Sequence, residues 1–252
     1  MNRRRSIQAL CAALGAGLAR WSPGQARTYN VGATPTGIPF TYLDPKTNTM
    51  QGAMVDVIQA IAADAGFAVS FEPNPFASLV PALLMNRIDM IGAGMLVTAP
   101  RRDVIDFSDS VLAYPEALVV NVTDKTPYRS LADLSGQSVG AQSGTVYADF
   151  LQSAVDANQV KLYASLADLL REISQGRLPA GIGDAPLLAY QLAQNVSLRA
   201  RLVPTYESKL SGSIGIGVRK GDSALLNTIN ASLAKLRADG TIDRIVAKWN
   251  LN

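Results

Sequence analysis

Segments typical of buried strands alternate with segments typical of helices along most of this chain, and the alternation occurs in two separate series. In the first series, apolar runs such as 29–33 and 68–72 are each followed by a helical pattern. Two longer extended segments, 111–122 and 211–218, separate the second series from the rest of the chain. A chain that crosses twice between two such units predicts an α/β protein of two lobes, each a central sheet flanked by helices, joined by two hinge strands.

The two crossings set the predicted lobe boundaries. Lobe 1 is expected to comprise residues 28–111 and 216–252, so that the C-terminal helices return to the first unit. Lobe 2 is expected to comprise residues 117–211, with hinge crossings at 112–116 and 212–215.

The N-terminus has the pattern of a secretory signal peptide spanning residues 1–26. Three consecutive arginines begin it, an apolar stretch at 7–18 follows, and a cleavage site is predicted after Ala26. The apolar stretch is too short for a retained membrane span, and no later run is longer. These features predict a periplasmic protein.

Removal of that segment changes the charge and the chemistry of the chain. Lys plus Arg falls from 23 to 19 against 20 acidic residues, a net charge of −1, and the only cysteine, Cys11, is lost. No basic stripe with interleaved aromatic residues is present, so no nucleic-acid partner is predicted. The chain has no histidine, which excludes Ser-His-Asp triads and histidine metal sites; no metal and no cofactor are predicted.

Residues 92–109 carry the strongest local signal for ligand binding. A buried strand opens into Gly92-Ala93-Gly94, where the backbone can approach a ligand closely. Thr98 is predicted to cap a short turn, which brings Arg101 to exposed amide groups that favour an anion. A guanidinium group matches a carboxylate, so Arg101 is a candidate anchor. The alternative is a surface arginine paired with Asp103 or Asp106.

Several segments, in the right order and over nearly all of residues 29–251, resemble the polar amino-acid-binding family of periplasmic solute-binding proteins of ABC transporters. That family is also described as bacterial extracellular solute-binding family 3, with the type II periplasmic-binding-protein fold. The matching segments are 31–34 with 39–40, 52–57, 76–83, 94–109, 139–145, 183–184 and 238–249.

The resemblance implies a cleft that closes on one zwitterionic ligand. Arg101 would grip the α-carboxylate, helped by backbone amides at Gly94 and Leu96 and at the helix start of Thr145 and Val146. The fold would keep the cation and the anion on opposite lobes, so that a zwitterion drives closure.

Four further residues complete the implied site. Asp184, at the end of its strand, would take the α-ammonium group, and Phe76 would pack over the ligand's side chain. Thr34 stands where family members usually carry an acidic residue, which argues against a dedicated lysine or arginine binder. Glu116, near the first crossing, would bind the positively charged end of a ligand's side chain. Alternatively, it would be a solvated hinge carboxylate.

The predicted function is a monomeric receptor, not an enzyme, that captures a small amino acid or close derivative and delivers it to an ABC permease in the inner membrane. One alternative is a periplasmic dehydratase similar to cyclohexadienyl dehydratase, in which Glu116 would be the general acid. A third class, a sensor ectodomain, would need a separate membrane partner.

Overall fold

The computed structural model describes residues 27–251, and the predicted signal peptide lies outside these described residues. Within that range no helix combines the length and the apolar character needed to cross a membrane. The strands are β1 (Thr28–Ala33), β2 (Thr36–Gly37), β3 (Thr41–Asp44), β4 (Thr49–Gln51), β5 (Ala68–Pro73), β6 (Met90–Ile91), β7 (Ile105–Phe107), β8 (Leu112–Asn121), β9 (Val139–Gln142), β10 (Val160–Tyr163), β11 (Ala180–Asp184), β12 (Ala200–Leu202), β13 (Ser211–Ile214) and β14 (Gly217–Arg219).

The helices lie between these strands, as an α/β alternation requires. Three short 3-10 turns accompany them, at Phe76–Ser78, Leu131–Leu134 and Ala157–Gln159. The α-helices are α1 (Ala53–Ala65), α2 (Leu79–Leu84), α3 (Ala99–Val104), α4 (Val146–Ala154), α5 (Leu166–Ser174), α6 (Ala185–Gln194), α7 (Ser223–Ala238) and α8 (Thr241–Lys248).

Two mixed sheets form the centres of the two lobes. The first has the order β5-β1-β6-β14-β7, in which β1 runs parallel to β5 and β6, and β14 is antiparallel to both its neighbours. The second has the order β10-β9-β11-β8-β12, in which β9, β10 and β11 are parallel and β8 is antiparallel to β11 and β12. The fold is therefore the predicted two-lobe α/β class.

Helix α5 illustrates how the sequence pattern produces the packing. Its buried residues recur at three- and four-residue intervals, which places them on one face of the helix. Ser165 caps the first turn by accepting a hydrogen bond from the Asp168 amide at 3.1 Å. The apolar face covers the second sheet, and it consists of Leu166, Leu169, Leu170 and Ile173.

The C-terminal helices α7 and α8 pack against α1 of the first lobe. Asp56 of α1 accepts hydrogen bonds from Lys248 Nζ and Trp249 Nε1 at the end of α8, each at 2.7 Å. The chain therefore returns to its starting lobe after the second lobe is complete.

The two segments between the lobes lie side by side. β13 pairs antiparallel with the first half of β8, and Gly212 lies opposite Tyr114. Leu96 adds an isolated bridge to Ile214, so the segment that leads to α3 contacts the same crossing. This pairing brings the ligand-facing loops of both lobes to one region.

Three local predictions differ from the structure. The two prolines and the glycine at 34–40 predict a loop, but this segment contains β2, which pairs with β3 in a small antiparallel sheet, β2-β3-β4. The apolar pattern at 76–86 predicts one helix, which is instead split into a 3-10 turn and the short α2, which ends near Asn86 at φ 56°. The apolar residues within 103–109 predict a strand, and this strand is limited to β7 because α3 continues to Val104.

Candidate functional site

Two adjoining cavities lie between the lobes and share Phe76, Gly94, Thr145 and Asp184 in their walls. Both are narrow, with a cavity volume of about 10 Å³ in the first and about 20 Å³ in the second. The first is lined by Phe76, Gly94, Leu96, Arg101, Thr145, Val146, Tyr147 and Asp184. The second is lined by Thr34, Gly37, Phe40, Phe76, Ala93, Gly94, Gln142, Thr145, Asp184 and Leu187.

These residues meet because they follow the carboxyl ends of strands in the two sheets. Thr34 follows β1, Phe76 follows β5, and Gly94 follows β6 in the first lobe. Thr145 follows β9 and Asp184 ends β11 in the second lobe. Parallel strands of one sheet end at the same edge, so each lobe presents its loops to the other.

Arg101 connects the lobes through its guanidinium group. Nη1 donates to the Leu96 carbonyl at 2.6 Å, and Nη2 donates to the Gly144 carbonyl of the second lobe at 3.0 Å. The guanidinium carbon lies 5.8 Å from the centre of the Phe76 ring. Burial lowers the pKa of Arg101, and Asp149 and Asp184 act against that effect. Two of its five N–H donors are used by these bonds, and the other three donate to no atom of residues 27–251.

The start of α4 faces the same cavity. Thr145 caps it, since its hydroxyl accepts from the Ala148 amide at 3.3 Å and donates to the Gln142 carbonyl at 2.7 Å. Thr145 and Val146 line the cavity with the first turn of a nine-residue helix behind them. The positive end of the helix dipole therefore adds to the charge of Arg101.

Asp184 supplies the negative charge of the site. It stands at the first position before α6 but makes no capping bond with its side chain. Instead, Oδ1 accepts a hydrogen bond from the Tyr147 hydroxyl at 2.8 Å. Burial raises the pKa of Asp184, while the hydroxyls of Tyr147 and Tyr114 and the charge of Arg101 hold it down. The half-buried carboxylate thus lies beside a neutral donor, the Tyr147 hydroxyl.

Two tyrosines, Tyr114 and Tyr147, lie next to Asp184. Tyr114 lies on β8, donates to the Gly94 carbonyl at 3.3 Å, and stacks on Phe40 with ring centres 5.4 Å apart. Burial is the largest cause that raises the pKa of both phenols, so both remain neutral donors. The sequence analysis did not place Tyr147 in the site. Tyr147 follows the predicted Val146 directly, but an aromatic residue in a first helical turn is equally typical of a core position.

Thr34 lines the second cavity with a buried hydroxyl. The residue is 3% exposed, and its Oγ1 makes no hydrogen bond with any of residues 27–251. Its own carbonyl accepts from the Thr41 hydroxyl at 2.8 Å, which fixes the backbone at this point. A buried hydroxyl without a partner is uncommon in a folded protein, so this atom marks a place where a ligand can bind.

Glu116 is the one predicted site residue that does not line either cavity. It is 2% exposed, which also corrects the alternative reading of a solvated hinge carboxylate. Its oxygens accept from the Lys209 amide at 2.6 Å, the Leu210 amide at 2.7 Å, and the hydroxyls of Ser208 and Tyr206. Glu116 therefore holds the segment before β13 against β8.

The site has no feature of a metal centre. Within residues 27–251, no group of three acidic or cysteine side chains is placed to hold a metal ion. Asp106, which the sequence offered as a partner for Arg101, instead pairs with Lys220 at 2.9 Å and accepts from the Gly221 amide. The charges at the cavities are those of Arg101 and Asp184, one on each lobe.

Comparison with known proteins gives one consistent family. A model of the bacterial extracellular solute-binding proteins, family 3, matches residues 29–252. ABC transporter arginine-binding protein 1 of Escherichia coli is 28% identical over 225 residues, which cover 89% of this chain and 91% of that protein.

Two solved structures extend the comparison to the fold. An ancestral arginine-binding protein bound to arginine has a TM-score of 0.81 and 33% identity, covering 89% of this chain and 99% of that one. An ancestral arginine-binding protein bound to glutamine also has a TM-score of 0.81 and 33% identity, covering 88% of this chain and 97% of that one.

The structural role of Glu116 can be tested by substitution. We expect Glu116→Gln to lower the free energy of unfolding by about 1–2 kcal/mol, because the amide nitrogen would replace an oxygen that accepts from one backbone N–H and one hydroxyl. Urea denaturation measures this change. Glu207→Gln is the control, because Glu207 is exposed and lies 3.8 Å from Arg129, and it should change stability by less than about 0.5 kcal/mol. Equal stability of Glu116→Gln and the wild type would contradict the role.

The approach of the lobes at Gly144 can be tested with a matched pair of glycine variants. Gly144 has φ 76°, and a Cβ there would lie 2.6 Å from Ala77 Cα of the first lobe. Gly176 has φ 72° and open space around it. Both alanine variants should lose about 1 kcal/mol of stability through backbone strain.

Only Gly144→Ala should hold the lobes apart, because only that Cβ meets the opposite lobe. Small-angle X-ray scattering of both variants and the wild type measures this as a larger radius of gyration for Gly144→Ala. An unchanged radius would show that the lobes approach each other elsewhere.

Proposed function

Because this chain belongs to the bacterial extracellular solute-binding proteins, family 3, we propose that it captures an amino acid or close derivative between its two lobes and delivers it to an ABC permease. The observation that carries this proposal is the pair of opposite charges at one cavity, with Arg101 on the first lobe and Asp184 on the second. An α-amino acid carries the complementary pair of charges on neighbouring atoms.

The carboxylate of the ligand binds at Arg101 and the start of α4. Arg101 has three free N–H donors, and burial strengthens its interaction with an anion because little water competes. The helix start at Thr145 and Val146 lies on the opposite lobe and lines the same cavity. Gly94 and Leu96 bring the backbone of the first lobe to this point. A ligand carboxylate thus contacts both lobes.

The ammonium group of the ligand binds at Asp184. The Tyr147 hydroxyl holds this carboxylate in place, and the lack of a capping bond leaves the carboxylate available to a cation. A ligand with both charges interacts with both lobes only when the cleft is closed, so its binding energy favours closure. Phe76 covers the cavities between these two anchors.

The similar proteins support the same class of ligand. The Escherichia coli relative is named an arginine-binding protein of an ABC transporter, and the two ancestral structures contain arginine and glutamine. We propose that the present protein is exported with cleavage after Ala26, acts in the periplasm as a monomer, and docks on a permease in the inner membrane.

The dehydratase alternative has no supporting observation. It needs a general acid beside the ligand, and Glu116, the residue predicted for that role, lies outside the lining of both cavities. Asp184 is the carboxyl group in that lining, and an ammonium group occupies it in the proposed complex. The curated relatives are named as amino-acid-binding proteins, and this chain belongs to the same solute-binding family rather than to the enzymes.

The charge clamp predicts the effect of three variants on binding of amino acids. Arg101→Ala and Asp184→Asn should each weaken the affinity about 10- to 100-fold, since each removes a charge-assisted bond in a buried site. Arg102→Ala, at the exposed neighbouring residue, should leave affinity unchanged. Isothermal titration calorimetry measures all three. Wild-type affinity in Arg101→Ala would refute the clamp.

Binding should also weaken on acidification because protons and the ligand ammonium compete for the Asp184 carboxylate. The pKa of Asp184 lies above the ordinary aspartate value, so the loss begins at a higher pH than for an exposed aspartate. Below that pKa, affinity should fall roughly tenfold per pH unit. Titrations from about pH 7 to about pH 4 test this. Asp184→Asn should lack this pH dependence, and a parallel slope in that variant would place the titrating group elsewhere.

A further inference from the structure

We propose that the protein selects an amino acid whose side chain is uncharged and carries a hydroxyl or amide group, and that Thr34 is the residue that selects it. This inference rests on the proposed binding of an α-amino acid by Arg101 and Asp184. It assigns the second cavity to the ligand's side chain, since the first cavity contains Arg101 and the α4 start.

The buried hydroxyl of Thr34 is the first reason. Its Oγ1 makes no hydrogen bond within the part of the chain that the structure describes, although the residue lines the second cavity. The Thr41 hydroxyl bonds to the Thr34 carbonyl, so the residue is held in place before any ligand arrives. A hydroxyl both donates and accepts, so it can pair with a ligand hydroxyl or with either end of an amide.

Gln142 supplies a second polar contact in the same cavity. Its Nε2 donates to the Ala164 carbonyl at 3.3 Å, which orients the amide and leaves Oε1 as the atom it can offer to a ligand. Gln142 is on the second lobe and Thr34 is on the first. A ligand side chain that donates to Gln142 Oε1 and also pairs with the Thr34 hydroxyl therefore contacts both lobes. The charged groups of the ligand do the same.

The charge of the lining excludes an ionic side chain. Arg101 and Asp184 are the charged residues in the walls of the two cavities, and a zwitterion neutralises both. A guanidinium or ammonium side chain would be buried without a carboxylate, which is strongly unfavourable. Glu116 cannot serve because four donors already occupy its carboxylate.

The apolar walls limit the ligand further. Phe40, Phe76, Ala93 and Leu187 surround the two polar contacts, so the cavity suits a short side chain with a single polar group. A purely apolar side chain would fit these walls but leave the Thr34 hydroxyl unpaired. A site built to pair with a ligand hydroxyl discriminates strongly against an analogue that lacks it.

Calorimetric titration of the full chain with isosteric ligands tests the proposal. The probes are threonine and valine, asparagine and leucine, and arginine, each added to the wild type. We expect threonine or asparagine to bind at least about tenfold more tightly than its apolar counterpart and than arginine.

Variants at one position separate selection from stability. Thr34→Val keeps the shape and removes the hydroxyl, so it should weaken the preferred polar ligand about tenfold while valine or leucine binding stays equal or improves. Thr34→Ser keeps the hydroxyl and should retain the preference. Thr34→Asp adds a carboxylate and should raise the affinity for arginine.

Two outcomes would overturn the inference and are distinguishable from failure of the proposed function. Tightest binding of arginine by the wild type would refute it while an amino-acid receptor remained. Equal loss of polar and apolar ligands in Thr34→Val would show that Thr34 does not select. Absence of binding of every amino acid by a folded wild type would instead refute the proposed function itself.

Discussion

The closed arrangement of the lobes depends on the Arg101 guanidinium. It bonds to the carbonyl of Leu96 on its own lobe and to the carbonyl of Gly144 on the other. This cation is half-buried, and two carbonyl dipoles compensate its charge only in part. In the proposed complex the ligand's carboxylate supplies the rest of the compensation.

At Gly144 the backbone of the second lobe comes close to the backbone of the first. Gly144 and Ala77 meet across the cleft with no room for a Cβ on the glycine. Gly94 is similar, because a Cβ there would lie 2.7 Å from the Phe40 ring. Small residues at these two points let backbone carbonyls reach Arg101 and Tyr114 directly. Packing of this kind is sensitive to a single methyl group, which makes closure specific.

The sequence predicted the parts of this arrangement that depend on local pattern. Strand β11, helix α4 and the cap at Thr98 follow from periodicity and capping residues, and their bounds agree closely with the structure. Arg101 was a candidate from its local pattern, and the resemblance added Asp184; the roles of both remain predictions. The sequence did not predict the β2-β3-β4 sheet, because strands of two to four residues carry too little periodicity to detect.

The contrast between Glu116 and Asp184 shows what sequence cannot provide. The two carboxylates lie directly opposite each other in the β8–β11 ladder, and both are acidic residues near a crossing. Glu116 accepts from two backbone amides and two hydroxyls, so its charge is fully compensated within the protein. Asp184 accepts from one phenol, the Tyr147 hydroxyl. In the proposed complex only Asp184 is therefore available to a cation. The difference arises because residues 206–210, which are far from Glu116 in sequence, supply the donors to Glu116.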